Sequence, residues 1–147
     1  MQEMDSADIL LVEDNPNDAE LTLEPLREHH VSKAVYVASD GTEALDFVFG
    51  TGRHAGRDIE RIPRLVILDL KLPKVDGLEV LRRLKTDERT RSVPVVVLTS
   101  SREELDIGKS YELGANSYVV KPVEFEAFSR AVGQIGSYWL SLNQPLC

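Results

Sequence analysis

Residues 65–77 read Leu65-Val66-Ile67-Leu68-Asp69-Leu70-Lys71-Leu72-Pro73-Lys74-Val75-Asp76-Gly77. The first four are apolar without a break, the pattern of a short strand buried on both faces rather than one alternating between core and water. The run ends in an acid. Pro73 to Gly77 then supplies a turn into a helix that carries Val80, Leu81 and Leu84 on its inner side. Buried strand, acid at its carboxyl end, turn and amphipathic helix make one βα unit, and the same order recurs on either side.

Upstream, Ile9 to Val12 is another unbroken apolar run and ends in Glu13-Asp14-Asn15-Pro16. Asn17 or Asp18 is the expected cap of a helix running to about Glu28, with Ala19, Leu23 and Leu26 inward and a kink at Pro25. Val35-Tyr36-Val37 reads as a strand, and Asp40-Gly41-Thr42-Glu43 opens a helix with Ala44, Leu45 and Val48 on one stripe and Gly50 or Gly52 as its stop. Downstream, Val95 to Leu98 runs into Thr99-Ser100-Ser101, a helix spans about Glu103 to Leu113 before Gly114, and Ser117 to Val120 ends at Lys121-Pro122. A last helix from near Glu124 places Phe125, Phe128, Val132, Ile135 and Trp139 at helical spacing. Five alternations with apolar strands predict an α/β chain, a doubly wound five-stranded parallel sheet with helices on both faces. The crevice of such a sheet lies beyond the carboxyl ends of its strands, where this sequence puts Glu13, Asp14, Asp69, Thr99, Ser100 and Lys121.

At 147 residues the chain fits a single domain, 1–147, with residues 1–7 as a flexible polar start and 141–147 as a tail. Cys147 has no partner for a disulfide, residues 1–7 lack the features of a signal peptide, and no apolar stretch reaches the ~20 residues of a spanning helix. A cytoplasmic location without membrane contact is expected. The net charge of -8 opposes nucleic-acid binding. His29, His30 and His54 have no metal spacing and are expected to face solvent. The glycine- and arginine-rich loop from Gly50 to Pro63 lacks a phosphate-loop lysine-serine pair and is expected to be mobile.

Three carboxylates at one end of a sheet repel each other and are costly to desolvate unless a cation or proton intervenes. Mg²⁺ answers both problems, with Asp14, Asp69 and the backbone carbonyl of Lys71 as direct ligands and Glu13 acting through water. Taken singly, the same acids read as helix caps. A carboxylate is also a nucleophile able to accept a phosphoryl group, a reaction that needs in-line placement and neutralised equatorial oxygens. Asp69 is the candidate acceptor, with the Thr99 hydroxyl and the Lys121 ammonium covering the oxygens left free by the ion. Alone, Thr99 reads as a helix cap and Lys121 as a solvated lysine.

The order and wording of these residues resemble the receiver domain of response regulators, from Asp8 to about Tyr138. The acidic first turn at Glu13 to Asn15, the acceptor loop Asp69-Leu70-Lys71-Leu72-Pro73 with Asp76-Gly77, the switch threonine in Val97-Leu98-Thr99-Ser100, and Gly114 through Lys121-Pro122 carry the likeness. The resemblance implies a flavodoxin-like receiver fold, phosphorylation of Asp69 by a sensor histidine kinase, a cis Lys121-Pro122 peptide, and Tyr118 as the aromatic that turns inward when Thr99 is drawn to the phosphoryl group. It also implies a homodimer through the fourth helix, fifth strand and fifth helix. The apolar tail residues Trp139, Leu140, Leu142 and Leu146 need a cover, and either add to that interface or fold back on their own domain. Within the family, the stretch from Phe47 to Pro63 and the ending Tyr138-Trp139-Leu140 are similar to the stand-alone regulators paired with bacterial phytochrome kinases. A haloacid-dehalogenase-type phosphatase also uses an aspartyl nucleophile, but it places a second aspartate where this chain has Lys71. An interaction module that has lost phosphorylation is the third reading, opposed by the five intact positions.

Overall fold

Five short strands and five helices alternate along the chain: β1 (Ile9–Val12), α1 (Pro16–His29), β2 (Val35–Ala38), α2 (Gly41–Phe49), β3 (Leu65–Leu68), α3 (Gly77–Thr86), β4 (Val95–Thr99), α4 (Glu104–Glu112), β5 (Ser117–Val120) and α5 (Phe125–Ser137). These elements come from a computed structural model of the chain, which describes residues 8–29 and 34–145. The residues expected to form the flexible start, His30, and Leu146 and Cys147 of the tail lie outside the described residues. The strands form one sheet in the order β2-β1-β3-β4-β5, every neighbouring pair parallel. Among the described residues no helix is long and apolar enough to cross a membrane.

Period-two alternation along each strand divides the core into two layers. Leu10, Val12, Val66, Leu68, Val95 and Val97 point to the side of α2 and α3, where Leu45, Phe47, Leu81 and Leu84 meet them. Ile9, Leu11, Leu65, Ile67, Val96 and Leu98 point to the other side, against Leu23 and Leu26 of α1 and Phe128, Val132 and Ile135 of α5. Such a strand has no polar face, so its sequence reads as a continuous apolar run. Each fully buried aliphatic side chain contributes about 1.5–3 kcal/mol relative to exposure.

Several local expectations are corrected. The cap of α1 is Asn15, whose Oδ1 accepts from the backbone amides of Asn17 and Asp18 at 2.9 and 3.1 Å; Pro16 then takes the first helical position, where a missing N–H costs nothing. As expected, α1 continues past Pro25, to His29. The Lys121-Pro122 peptide is trans, since the described residues contain no cis bond; trans is the intrinsically preferred form, and Lys121 reaches its partners without the isomer.

The loop after α2 is packed at His54 and Arg57. Gly50 closes α2 in the left-handed conformation, and a 3₁₀ turn over Gly52–His54 brings His54 beneath it, 8% exposed. Tyr36 stacks on Phe47 at 4.3 Å between ring centres, and His54 meets both rings edge-on. The Tyr36 hydroxyl donates to Glu43 Oε2 at 2.5 Å and lies 2.9 Å from His54 Nε2. Burial works to raise the Glu43 carboxyl, but hydrogen bonds from Tyr36 and Ser39 outweigh it and hold the group below its ordinary value. An ionised Glu43 only accepts, so Tyr36 spends its one proton there and His54 donates from Nε2. Arg57 lies over the outer edge of this cluster, its guanidinium 4.0 Å from the Phe47 ring centre. Arg57 and His54, two of the residues that suggested a solvated loop, cover aromatic surface instead.

The tail also differs. After α5 the chain makes a π-helical turn over Tyr138–Leu142, closed by the amide of Asn143 donating to the Tyr138 carbonyl. The wider turn moves the inward position five residues on from Ile135 to Leu140, instead of four to Trp139. Leu140 is therefore 6% exposed in the protomer's own core, and its carbonyl accepts from Arg64 at 3.0 Å. Trp139 packs half-buried against the same core. Leu142 at 75% and Phe125 at 58% are exposed, so Phe125 does not join the inward stripe of α5.

Gly41 opens α2 against the loop that follows β3, and a Cβ there would stand 1.8 Å from the Val75 carbonyl oxygen. The obstacle is backbone. Gly41→Ala is expected to cost about 1–3 kcal/mol as an overpacking change, read as a lower midpoint in urea unfolding.

Candidate functional site

The parallel register brings together residues that are remote in sequence. Val12 pairs with Leu68, and Asp69 continues that ladder by donating its amide to the Val12 carbonyl at 3.1 Å, which sets Glu13 and Asp69 side by side. Thr99 pairs with Val120, and the Lys121 amide donates to the Thr99 carbonyl at 2.7 Å. The residues that follow β1, β3 and β5 and the last residue of β4 thus meet at one pole of the sheet.

The Lys121 ammonium is the centre of this pole. Nζ lies 2.7 Å from Glu13 Oε1, 2.9 Å from Asp18 Oδ2 and 3.1 Å from Asp69 Oδ2. An ammonium has three N–H donors, and each finds a carboxylate. Burial alone pulls the lysine down, but the hydrogen bonds to Glu13 and Asp18 and the charge of Asp69 outweigh it and raise it above its ordinary value. Glu13 is 4% exposed; burial, reinforced by the Asp69 charge and opposed by Lys121, raises its carboxyl to about 7. Asn15 donates its amide to the second Glu13 oxygen at 3.1 Å.

Glu13, Asp14 and Asp69 each offer an oxygen within 4.8 Å of the others, with Glu13 and Asp69 buried and Asp14 exposed. Hard oxygen donors, one of them open to water, suit a small divalent cation that keeps part of its hydration. Asp14 and Lys71 line a cleft of about 480 Å³ together with Asp76 and Asp106. The loop behind Asp69 is tightly folded: Lys71 donates its amide to Asp69 Oδ1 at 3.3 Å and Gly77 donates to the Leu70 carbonyl at 2.9 Å. A Cβ on Gly77 would fall 2.4 Å from the Asp69 carbonyl oxygen, so only glycine admits this approach.

Thr99 is fully buried, and its Oγ1 has no hydrogen-bond partner. A buried hydroxyl without a partner costs about 1–3 kcal/mol. Two residues on, the Ser101 hydroxyl donates to Asp106 Oδ2 at 2.6 Å, and the Ser101 carbonyl accepts from the Tyr118 hydroxyl at 3.1 Å. Tyr118 is half-buried.

Every site residue predicted from the sequence except the tail trio lies at this pole or on the elements that frame it. Asp18, Ser101 and Asp106 were not anticipated. Asp18 had a usable signal, because it sits in the first turn of the helix leaving β1 and therefore at the strand-end pole.

The sequence matches the response regulator receiver domain over residues 9–133. The chain belongs to that family. It is 42% identical over 139 residues to the probable methanogenesis regulatory protein FilR2 of Methanothrix harundinacea, covering 92% of this chain and 85% of that protein. The response regulator Rcp1 of Synechocystis is 38% identical, with 90% and 88% covered, and its Mn²⁺-bound structure superposes with a TM-score of 0.88 over 96% and 99% of the two chains. The phosphorylated cyanobacterial phytochrome response regulator RcpA gives a TM-score of 0.89 at 37% identity, covering 97% and 99%. The bacteriophytochrome response regulator AtBRR is 54% identical, with a TM-score of 0.73 over 95% and 99%. The receiver fold is thus established for this chain, as is its similarity to phytochrome-associated regulators.

Removing Lys121 would leave three neighbouring carboxylates without their cation. Lys121→Ala is expected to lose about 3 kcal/mol of stability in metal-free buffer, as when one partner of a buried ion pair is deleted. The deficit should shrink as pH falls, because the carboxylates then take up protons, and Mg²⁺ should restore part of it. Urea melts at pH 5 and pH 8, with EDTA or Mg²⁺, check all three expectations.

Proposed function

We propose that the chain is a stand-alone response regulator that takes a phosphoryl group from a sensor histidine kinase onto Asp69 in a Mg²⁺-dependent reaction and signals in trans. The observation that carries this reading is the Asp69 carboxylate, 7% exposed, with an ammonium at 3.1 Å and two further acids in reach of a shared ion. An Asp69 oxygen attacks phosphorus, the bond from phosphorus to the donor nitrogen breaks, and that electron pair returns to the imidazole of the kinase. Lys121 faces one equatorial oxygen and the Thr99 hydroxyl, now partnered, another. Asp14, Asp69 and the Lys71 carbonyl would hold Mg²⁺ directly, with Glu13 through water; the ion supplies charge neutralisation at the remaining oxygen. The Mn²⁺-bound structure of Rcp1 supports a divalent ion in this family. The chain is in this account its own phosphotransfer catalyst and turns over no separate substrate.

Drawing Thr99 toward the phosphoryl group shifts the segment that holds Ser101, and with it the acceptor of the Tyr118 hydroxyl. Tyr118 is the switch aromatic in this reading. The phytochrome names of RcpA and AtBRR support a phytochrome-type histidine kinase as donor. A homodimer through α4, β5, α5 and the tail is the proposed assembly. Its apolar contacts would come from Leu105, Tyr111 and Leu142, which are exposed, rather than from Leu140, which is not. Sedimentation near 100 μM, about the weak end for a specific interface, tests it; a monomer there removes the dimer.

Incubation with acetyl phosphate and Mg²⁺ should add one phosphoryl group by intact mass, and Asp69→Asn should abolish it while keeping the fold. Equal labelling of that variant at another residue overturns the assignment. Asp14→Ala should weaken Mg²⁺ binding by about tenfold or more, read by fluorescence titration.

A further inference from the structure

Asp18 has no role in the account so far. Its Oδ2 lies 2.9 Å from Lys121 Nζ, and its side chain is 32% exposed, against 4% for Glu13 and 9% for Asp69. It stands apart from the group of acids able to share an ion, which takes in Glu13, Asp14 and Asp69. Its backbone is fixed on both sides: the amide donates to the Asn15 cap at 3.1 Å, and the carbonyl accepts from the buried Thr22 hydroxyl at 2.8 Å. Asp18 and Lys121 share the wall of a second cleft, of about 280 Å³, on the α1 and α5 side.

We propose that Asp18 is a positioning residue for Lys121, an inference that rests on the phosphoacceptor reading. Of the three carboxylates on the ammonium, two are claimed once the site works: Glu13 faces the cation, and Asp69 forms a bond to phosphorus. Asp18 is the one left to hold Nζ. A lysine on a flexible four-carbon stem loses much of its value as an oxygen clamp when its head is free to swing into solvent. One N–H kept on Asp18, at the first turn of a capped helix, holds the ammonium where a second can reach its phosphoryl oxygen. Asp18 is also the most hydrated of the three, so it holds the lysine at the lowest desolvation cost.

The test uses the full chain, acetyl phosphate as donor, saturating Mg²⁺ and intact mass against time. Asp18→Asn should lower the maximal phosphorylation rate about tenfold without changing the donor concentration for half-maximal rate. Asp18→Glu should restore most of it. In a Lys121→Ala background, Asp18→Asn should have no further effect. Equal slowing of the Lys121→Ala protein, or an unchanged rate in the otherwise native chain, overturns the proposal. If the native chain takes no phosphoryl group at Asp69, the phosphoacceptor reading fails instead. The positioning claim then stands on the ¹⁵N resonance of the Lys121 ammonium, visible in the native protein and lost to solvent exchange in Asp18→Asn; a resonance unaffected by the substitution overturns it.

Discussion

Glu13, Asp18 and Asp69 converge on the ammonium of Lys121, and the carboxyl pole of the sheet depends on that balance of charge. In a sheet whose strands all run the same way, every strand end falls on the same side, so acids that follow β1 and β3 are forced together. Desolvated carboxylates at such spacing repel and resist ionisation, which is why Glu13 is raised to about 7 even with a lysine against it. The lysine comes from the far edge of the sheet, after β5. The adjacency of β1, β3, β4 and β5 in the sheet brings residues 13, 69, 99 and 121 into one site.

The two halves around this pole are held by different forces. On one side, backbone sets the position of Asp69: Gly41 and Gly77 admit contacts closer than any side chain allows, and Asp40 and Asp76 cap the helices that follow. On the other side, every residue of β5 is only half-buried and α4 fully buries Ser110 alone. That side is joined by polar contacts, namely Ser101 to Asp106, Tyr118 to Ser101, and Lys85 to Asn116 and the Val93 carbonyl. Polar contacts at a surface are exchanged at lower cost than a packed core is rearranged, so a change at Thr99 propagates into α4 and β5 before it disturbs β1 or β3.

The sheet was legible because a parallel strand buried on both faces is a continuous apolar word. Ile9–Val12, Leu65–Leu68 and Val95–Thr99 coincide with those words to within one residue. The placement of Glu13, Asp69 and Thr99 at the pole was legible for a related reason, as polar residues ending such words. The packed loop was not, since the partners of His54 and Arg57 are the rings of Tyr36 and Phe47, which local composition does not connect to them. Leu140, expected at an interface, enters the core instead because the last turn is π-helical, a change of period that a 3.6-residue pattern does not contain.

The acids that could share a metal ion and those that hold the lysine overlap at Glu13 and Asp69. A cation placed among Glu13, Asp14 and Asp69 and an ammonium at Lys121 compete for the same negative charge, so each weakens the other's hold. In metal-free protein the lysine alone compensates the acids and is drawn inward, where its three donors are spent. When divalent charge is supplied from the Asp14 side, Glu13 and Asp69 need the ammonium less, and donors are released for a newly arriving oxyanion. A carboxylate outside the metal group must then keep the lysine from leaving. Asp18 touches Nζ but lies outside that group, so it is the carboxylate whose charge a cation there would leave to the lysine.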